Sequence, residues 1–378
     1  MSGGIHQVHG MAGECEAAHW PPLTHAEVAT LLARHPSIHG PLEIAWHSPR
    51  PLSAAVLVQA GECTLFVKRH HASVRTPVTL GEEHRFMRHL REHGVPIPRV
   101  LADRDGATAV RLGDWTYEVH EHAAGTDAYR DSMSWTPPHS PMHARAAGAM
   151  LARLRNAAAG YREPQRSTHL LVARTELLCA ADPTATLAAQ LPERPALAAY
   201  LARRPWQRDL ADLLAPWHAD VQPRLAQQPA QWTHGDWHVS NLCWSSPDAD
   251  ARITAVFDFG LSARTFALFD LATAIERNAV AWLELASGAT AARIDMALAL
   301  LDGYRQVVAL DRAAVHLLAD LLPLVHLDFA LSEVEYLQAT GHAAAAADTA
   351  YDTFLRGHAT WFSTAAGHAL LQAIHDAA

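Results

Sequence analysis

Residues 234–241 read His-Gly-Asp-Trp-His-Val-Ser-Asn, and 17 positions after Asn241 an apolar run ends in Asp258-Phe-Gly260. An acid and an amide thus lie five positions apart on a tight turn, with a second acid at the end of a β-rich run. One carboxylate of such a set can orient a hydroxyl and take its proton, while the amide and the other carboxylate hold divalent cations against phosphate oxygens. Phosphoryl transfer from a magnesium nucleotide needs that combination. The flanks suit these roles. Pro229-Ala-Gln-Trp-Thr233 enters as an extended segment, Leu242-Cys-Trp244 leads out, Ser246-Pro-Asp-Ala-Asp250 is turn chemistry and Ile253-Thr-Ala-Val-Phe257 is a run of β-formers. Either triplet alone could arise by chance in so histidine-rich a chain. Both together, in order and with a hairpin between them, are specific.

Lys68 adds a second signal. It is the only lysine of the chain, against 29 arginines, and it follows Cys63-Thr-Leu-Phe-Val67 in a strand pattern. An ammonium is a compact point charge suited to phosphate oxygens in a tight pocket, whereas guanidinium is a wide planar fork. Residues 80–90 have helical period with Phe86, Met87 and Leu90 on one face. Glu83 falls on that same face and Glu82 is rotated outward, so Glu83 is expected to pair with Lys68.

With these residues in place, the chain resembles the aminoglycoside phosphotransferase and choline kinase-like family, small-molecule kinases that share the protein-kinase fold. The resemblance rests on His234-Gly-Asp-x-His238-x-x-Asn241, Val256-Phe-Asp258-Phe-Gly260 and Phe269-Asp-Leu-Ala272, and covers roughly residues 45–340. His-Gly-Asp in place of the His-Arg-Asp of protein kinases points to the small-molecule branch. The resemblance implies an α+β, bilobal protein-kinase-like fold, with a small antiparallel-sheet N-lobe and a large α-rich C-lobe. It implies Asp236 as catalytic base, Asn241 and Asp258 as magnesium ligands, ATP as phosphate donor and a small-molecule hydroxyl as acceptor. It places Lys68 at the α- and β-phosphates. The expected layout is a leader and helix over 1–41, the N-lobe over 42–119, a hinge over 120–126 whose backbone would meet adenine, and the C-lobe over 127–378.

The chain departs from the family in one place. Ser48-Pro-Arg-Pro-Leu-Ser53 stands where a Gly- or Ser-containing loop usually covers the phosphates. Proline removes backbone N–H donors, so the grip must come from Ser53, Arg50 or the few remaining amides. The acceptor site is expected in the C-lobe beside Asp236. Glu276 is one candidate, and Asp328, Ser332 and Glu335 share one face of a helical segment. Such an acidic stripe would suit a cationic substrate, an amino sugar or amino alcohol. Resemblance to homoserine kinase-like members keeps homoserine-like metabolites open as well.

Composition narrows the remaining classes. At 378 residues the chain can bury one core per lobe. A net charge of −9 without long basic runs argues against nucleic acid. Four cysteines without paired spacing read as buried free thiols of a reducing compartment. The start has neither signal character nor an apolar span, and Asp320 and Pro323 interrupt the apolar stretch 317–325, so no membrane segment and a cytoplasmic setting are expected. The 26 histidines show no zinc-helix spacing, and His70-His71 and His120-Glu-His122 read as strand-end and hinge residues. Residues 1–23 read as a loose leader, 24–34 as a capped helix, Ser140-Pro141 as a helix start and 160–230 as helices broken by prolines, while Ala343 to Ala347 continues a helical pattern. The chain is expected to be an active ATP:alcohol phosphotransferase. The alternative is a catalytically silent nucleotide-binding protein of the same fold, favoured only by the altered phosphate loop. Nothing after Gly260 leaves room for a protein-substrate platform, and oligomeric state is not legible.

Overall fold

A computed structural model describes residues 6–9, 14–341 and 344–378. Five antiparallel strands form the N-terminal sheet, in the order Leu42–His47, Ala54–Ala60, Cys63–His71, Trp115–Glu121, Val110–Leu112. Successive side chains of a strand point to opposite faces, and the sequence uses both. Val56, Val58, Leu65, Val67, Tyr117 and Val119 pack with Val28 and Leu31 of the His25–Leu32 helix into a small core. Alternate residues of the same strands, Leu57, Phe66, Lys68, Glu118 and His120, line a cleft on the other face. Lys68 sits directly opposite Glu118 in the register.

The Pro77–Glu92 helix follows with a capping box at Thr76 and Pro77 in its first turn. Its Phe86, Met87 and Leu90 are buried as their spacing predicts, in the larger core that fills the C-terminal lobe. Each lobe therefore has its own core, in the α+β architecture expected. Within 160–230 Pro183 and Pro195 open helices, and Pro223 lies inside one. Arg312–Ala339 is long and apolar enough to cross a membrane by composition, but 83% of that window is buried inside the protein.

Two expectations need correcting. The leader is not loose where it is described. Gln7–His9 pairs with Cys15–Ala17, the His9 amide donates to the Pro49 carbonyl at 2.8 Å, and the Trp20 indole donates to the Tyr336 hydroxyl at 2.8 Å. Residues 1–5 and 10–13 lie outside the described residues, as does Ala343 of the alanine-rich stretch. Nor are all the thiols buried: Cys15 and Cys63 are exposed, Cys179 is half-buried and Cys243 is buried.

Candidate active site

One helix, Ala267–Ala279, holds the 234–241 loop from beneath. Asp270 accepts the His234 and Gly235 amides at 2.9 and 2.8 Å. Asn278 accepts the Val239 amide and donates to the Trp237 carbonyl, both at 3.0 Å. Eight residues are about two helical turns, so both anchors project from one face of the helix. His234 ties the loop to the next strand end. Its Nδ1 accepts the Asp236 amide at 3.2 Å and its Nε2 faces the Phe257 carbonyl at 3.1 Å, a pair that only the neutral Nε2–H form satisfies.

Gly235 shows why this turn has no side chain at its centre. Its φ is +77°, and a Cβ there would lie 2.6 Å from the Leu261 carbonyl oxygen and 2.8 Å from the Ala173 Cβ. Gly235→Ala should therefore cost more than the roughly 1–2 kcal/mol of a left-handed residue alone. Thermal melting checks this, and an unchanged melting temperature would contradict it.

The loop brings Asp236, Asn241 and Asp258 to one wall of the cleft. Asn241 Nδ2 donates to the Asp236 carbonyl at 2.9 Å and to its carboxylate at 3.2 Å. Its amide oxygen has no hydrogen-bond partner among the described residues. Asp258, at φ +58°, accepts from Lys68 Nζ at 2.9 Å through Oδ1, and its Oδ2 has no partner among the described residues. Burial would raise the Asp258 carboxyl, but Lys68 outweighs it and lowers the pKa to about 2. For Lys68, burial disfavours the charge, and Asp258, Glu118 and Glu83 together raise its pKa above the ordinary value. The expected Lys68–Glu83 pair is thus not formed. Lys68 bonds Asp258, whereas Glu83, though buried and lining the cleft, lies 3.7 Å from Arg166. Glu82 does not turn out to solvent as expected: its side chain is only 14% exposed and accepts from the buried Arg166 at 3.1 Å and from the Ser167 amide.

Arg277 is the residue the sequence did not reveal. Its guanidinium pairs with the Asp236 carboxylate and stacks on the Trp135 and Phe329 rings at 4.9 and 4.7 Å. Burial pushes the Asp236 carboxyl up, but Arg277 and His238 outweigh it and hold it below its ordinary value. His238 is lowered to about 4 by burial, with Arg277 and Arg50 adding to the effect, and so is neutral at physiological pH. Arg277 stands in the segment Glu276-Arg-Asn278, whose acid is the expected acceptor residue.

Three acceptor candidates face elsewhere. Glu276 is buried against His358 at 2.9 Å and His326 at 3.6 Å. Glu335 pairs with Arg194 at 2.6 Å on the far side of the Leu327–Ala339 helix. Asp328 is buried near Glu176 and Arg194, and burial raises its carboxyl well above the ordinary range. The cleft side of that helix carries Phe329, Glu333, Tyr336 and Leu337 instead. Burial raises the Glu333 carboxyl to about 8, with Asp236 and Glu276 adding to it and Arg277 opposing. The proline loop does reach the cleft. Ser53 lines it, and Arg50 lines it while donating to the Ser134 hydroxyl at 2.8 Å. The cavity between the lobes measures about 600 Å³, within the range of small-ligand sites.

Comparison with known proteins agrees with this geometry. Residues 52–329 match the model of the phosphotransferase enzyme family (APH). Amicoumacin kinase hAmiN, solved with AMP-PNP, Ca2+ and Ami, superposes with a TM-score of 0.58 at 14% identity, covering 90% of this chain and 94% of that one. A microcompartment-associated aminopropanol kinase gives 0.59 at 16% identity, covering 91% and 99%. An aminoglycoside phosphotransferase from Alicyclobacillus acidocaldarius gives 0.51 at 16% identity, covering 95% and 98%. At these identities the structures speak for the fold. No curated protein sequence matches.

Proposed function

The chain belongs to the phosphotransferase enzyme family, and we propose that it moves the γ-phosphoryl group of ATP to a hydroxyl of a small molecule. The observation that carries this reading is the convergence of Asp236, Asn241, Asp258 and Lys68 on one cleft wall. Asp236 would take the acceptor's proton, with Arg277 fixing its carboxylate. Lys68 would bind phosphate oxygens as a point charge. Ser53 and Arg50 would stand in for the absent glycine loop.

Magnesium fits the oxygens that remain, the Asn241 amide oxygen and Asp258 Oδ2, hard donors of the kind it prefers. When bound it would neutralise phosphate charge. A related fold solved with AMP-PNP and Ca2+ supports a nucleotide with a divalent cation. The acceptor class stays between aminoglycosides, amino alcohols and homoserine-like metabolites. The buried Glu333 beside Asp236 and Arg277 is held largely as the neutral acid, and an acceptor carrying a cationic group is the kind that would draw it into its carboxylate form.

Mg-ATP should raise the melting temperature, and ATP with a chelator should do so far less. At a hundredfold excess over the dissociation constant the stabilisation is about 2.7 kcal/mol. Equal stabilisation with and without magnesium would remove Asn241 and Asp258 as its ligands. A panel of hydroxylated acceptors with Mg-ATP, followed by ADP release, tests the activity. Nucleotide binding without acceptor-dependent ADP release would favour the silent alternative.

A further inference from the structure

Behind Lys68 lies a cluster to which phosphoryl transfer assigns no role. The Glu118 carboxylate, 2% exposed, is met by three imidazoles. His84 Nε2 is 2.7 Å and His120 Nε2 2.9 Å from Oε2, and His70 Nε2 is 3.0 Å from Oε1. The ligand atoms of His84, Glu118 and His120 all lie within 4.8 Å of one another. Among the described residues no lysine or arginine bonds this carboxylate. The nearest ammonium, Lys68, is bonded to Asp258, and Arg75 is spent on the carbonyls of Leu170, Leu171 and Gly260. Buried charges are paired or coordinate metals.

We propose that His84, Glu118 and His120 form a binding site for a transition-metal dication of the zinc type, with His70 holding the other carboxylate oxygen. Two imidazoles and a carboxylate, with a water in the fourth position, are a zinc ligand set. They differ from the oxygen donors of the loop, so this site and the magnesium site select different ions. The ligands stand on rigid elements. Glu118 and His120 lie two apart on one strand and share a face, and His84 comes from the Pro77–Glu92 helix, while His70 on the adjacent strand steadies Glu118 through Oε1. His84 Nδ1 is 2.9 Å from the Thr108 hydroxyl, an outer partner of the kind that orients metal-binding histidines. His70, Glu118 and His120 line the cleft, which gives an ion a path in. The sequence hid the site because His84 stands 34 positions before Glu118, and only the packing of its helix against the sheet joins them.

The test uses the full chain, stripped with a chelator and titrated with ZnCl2 by calorimetry. One tight equivalent per chain is expected, lost in His84→Gln/His120→Gln and weakened about 10–100-fold in Thr108→Val, which removes only the outer partner. Should the double variant fail to fold, Thr108→Val and the absorption of Co2+ bound to the wild-type chain decide instead. Intense visible bands of a four-coordinate ion support the site. Zinc uptake that is the same in wild type and both variants, or a weak octahedral Co2+ spectrum, would overturn it and leave a proton-only histidine–carboxylate network.

Discussion

Asp236→Asn should lower turnover by about 10²–10⁴-fold, the usual contribution of a positioned base. The substitution is nearly isosteric, and the loop should survive it. Asn241 is held chiefly by the Asp236 backbone carbonyl at 2.9 Å, and Asp270 and Asn278 anchor the rest of the loop independently of the side chain. What changes is proton affinity and the pairing with Arg277. Arg277 keeps its aromatic platform and the neighbouring Glu333, although losing a buried partner costs stability. A melting curve therefore accompanies the kinetics, so that lost turnover is not confused with lost fold. Mg-ATP stabilisation should remain close to wild type, since the proposed metal ligands are other residues. If nucleotide binding vanished with the substitution, Asp236 would be a metal ligand or a structural residue instead.

Lys68→Arg should cost about 10²–10³-fold in turnover, the scale seen when one preorganised electrostatic donor is removed. The side chain is confined among Asp258, Glu118 and Glu83 and is only 14% exposed. A guanidinium keeps the charge but needs a planar, wider space. Elsewhere the chain uses arginine 29 times, so the loss would report this site and not a general intolerance. Turnover within about threefold of wild type, read as a free-energy difference, would show that Lys68 does not touch phosphate.

Most of this cleft wall is legible because it is local. Asp236, Asn241 and Asp258 are fixed by a turn and a hairpin whose chemistry sits in contiguous residues, and Lys68 announced itself as a lone ammonium in an arginine-rich chain. The helix of residues 77–92 was legible for the same reason, through its apolar period. What failed depended on rotation and long-range partners. The Lys68 ammonium could choose Glu83 or Asp258, and helical period says nothing of which carboxylate lies nearer. On the Leu327–Ala339 helix, Asp328, Glu333 and Glu335 are all acids in the sequence, yet Arg194 from a distant segment takes Glu335 and the cleft takes Glu333. The helix is buried over nearly its whole circumference, so polarity did not mark the cleft side. Arg277 is not legible because the pairing of its guanidinium with the Asp236 carboxylate is set by helix packing, not by sequence distance. The order of the leader is not legible because its Gly-rich composition does not show that Trp20 reaches Tyr336.

The most direct measurement is phosphorus NMR of Mg-ATP incubated with hydroxylated amine acceptors, comparing wild type with Asp236→Asn. The expected result is acceptor-dependent formation of ADP and a phosphomonoester in the wild type, slowed by at least about a hundredfold in the variant. A phosphomonoester formed equally fast by both proteins would contradict Asp236 as the base.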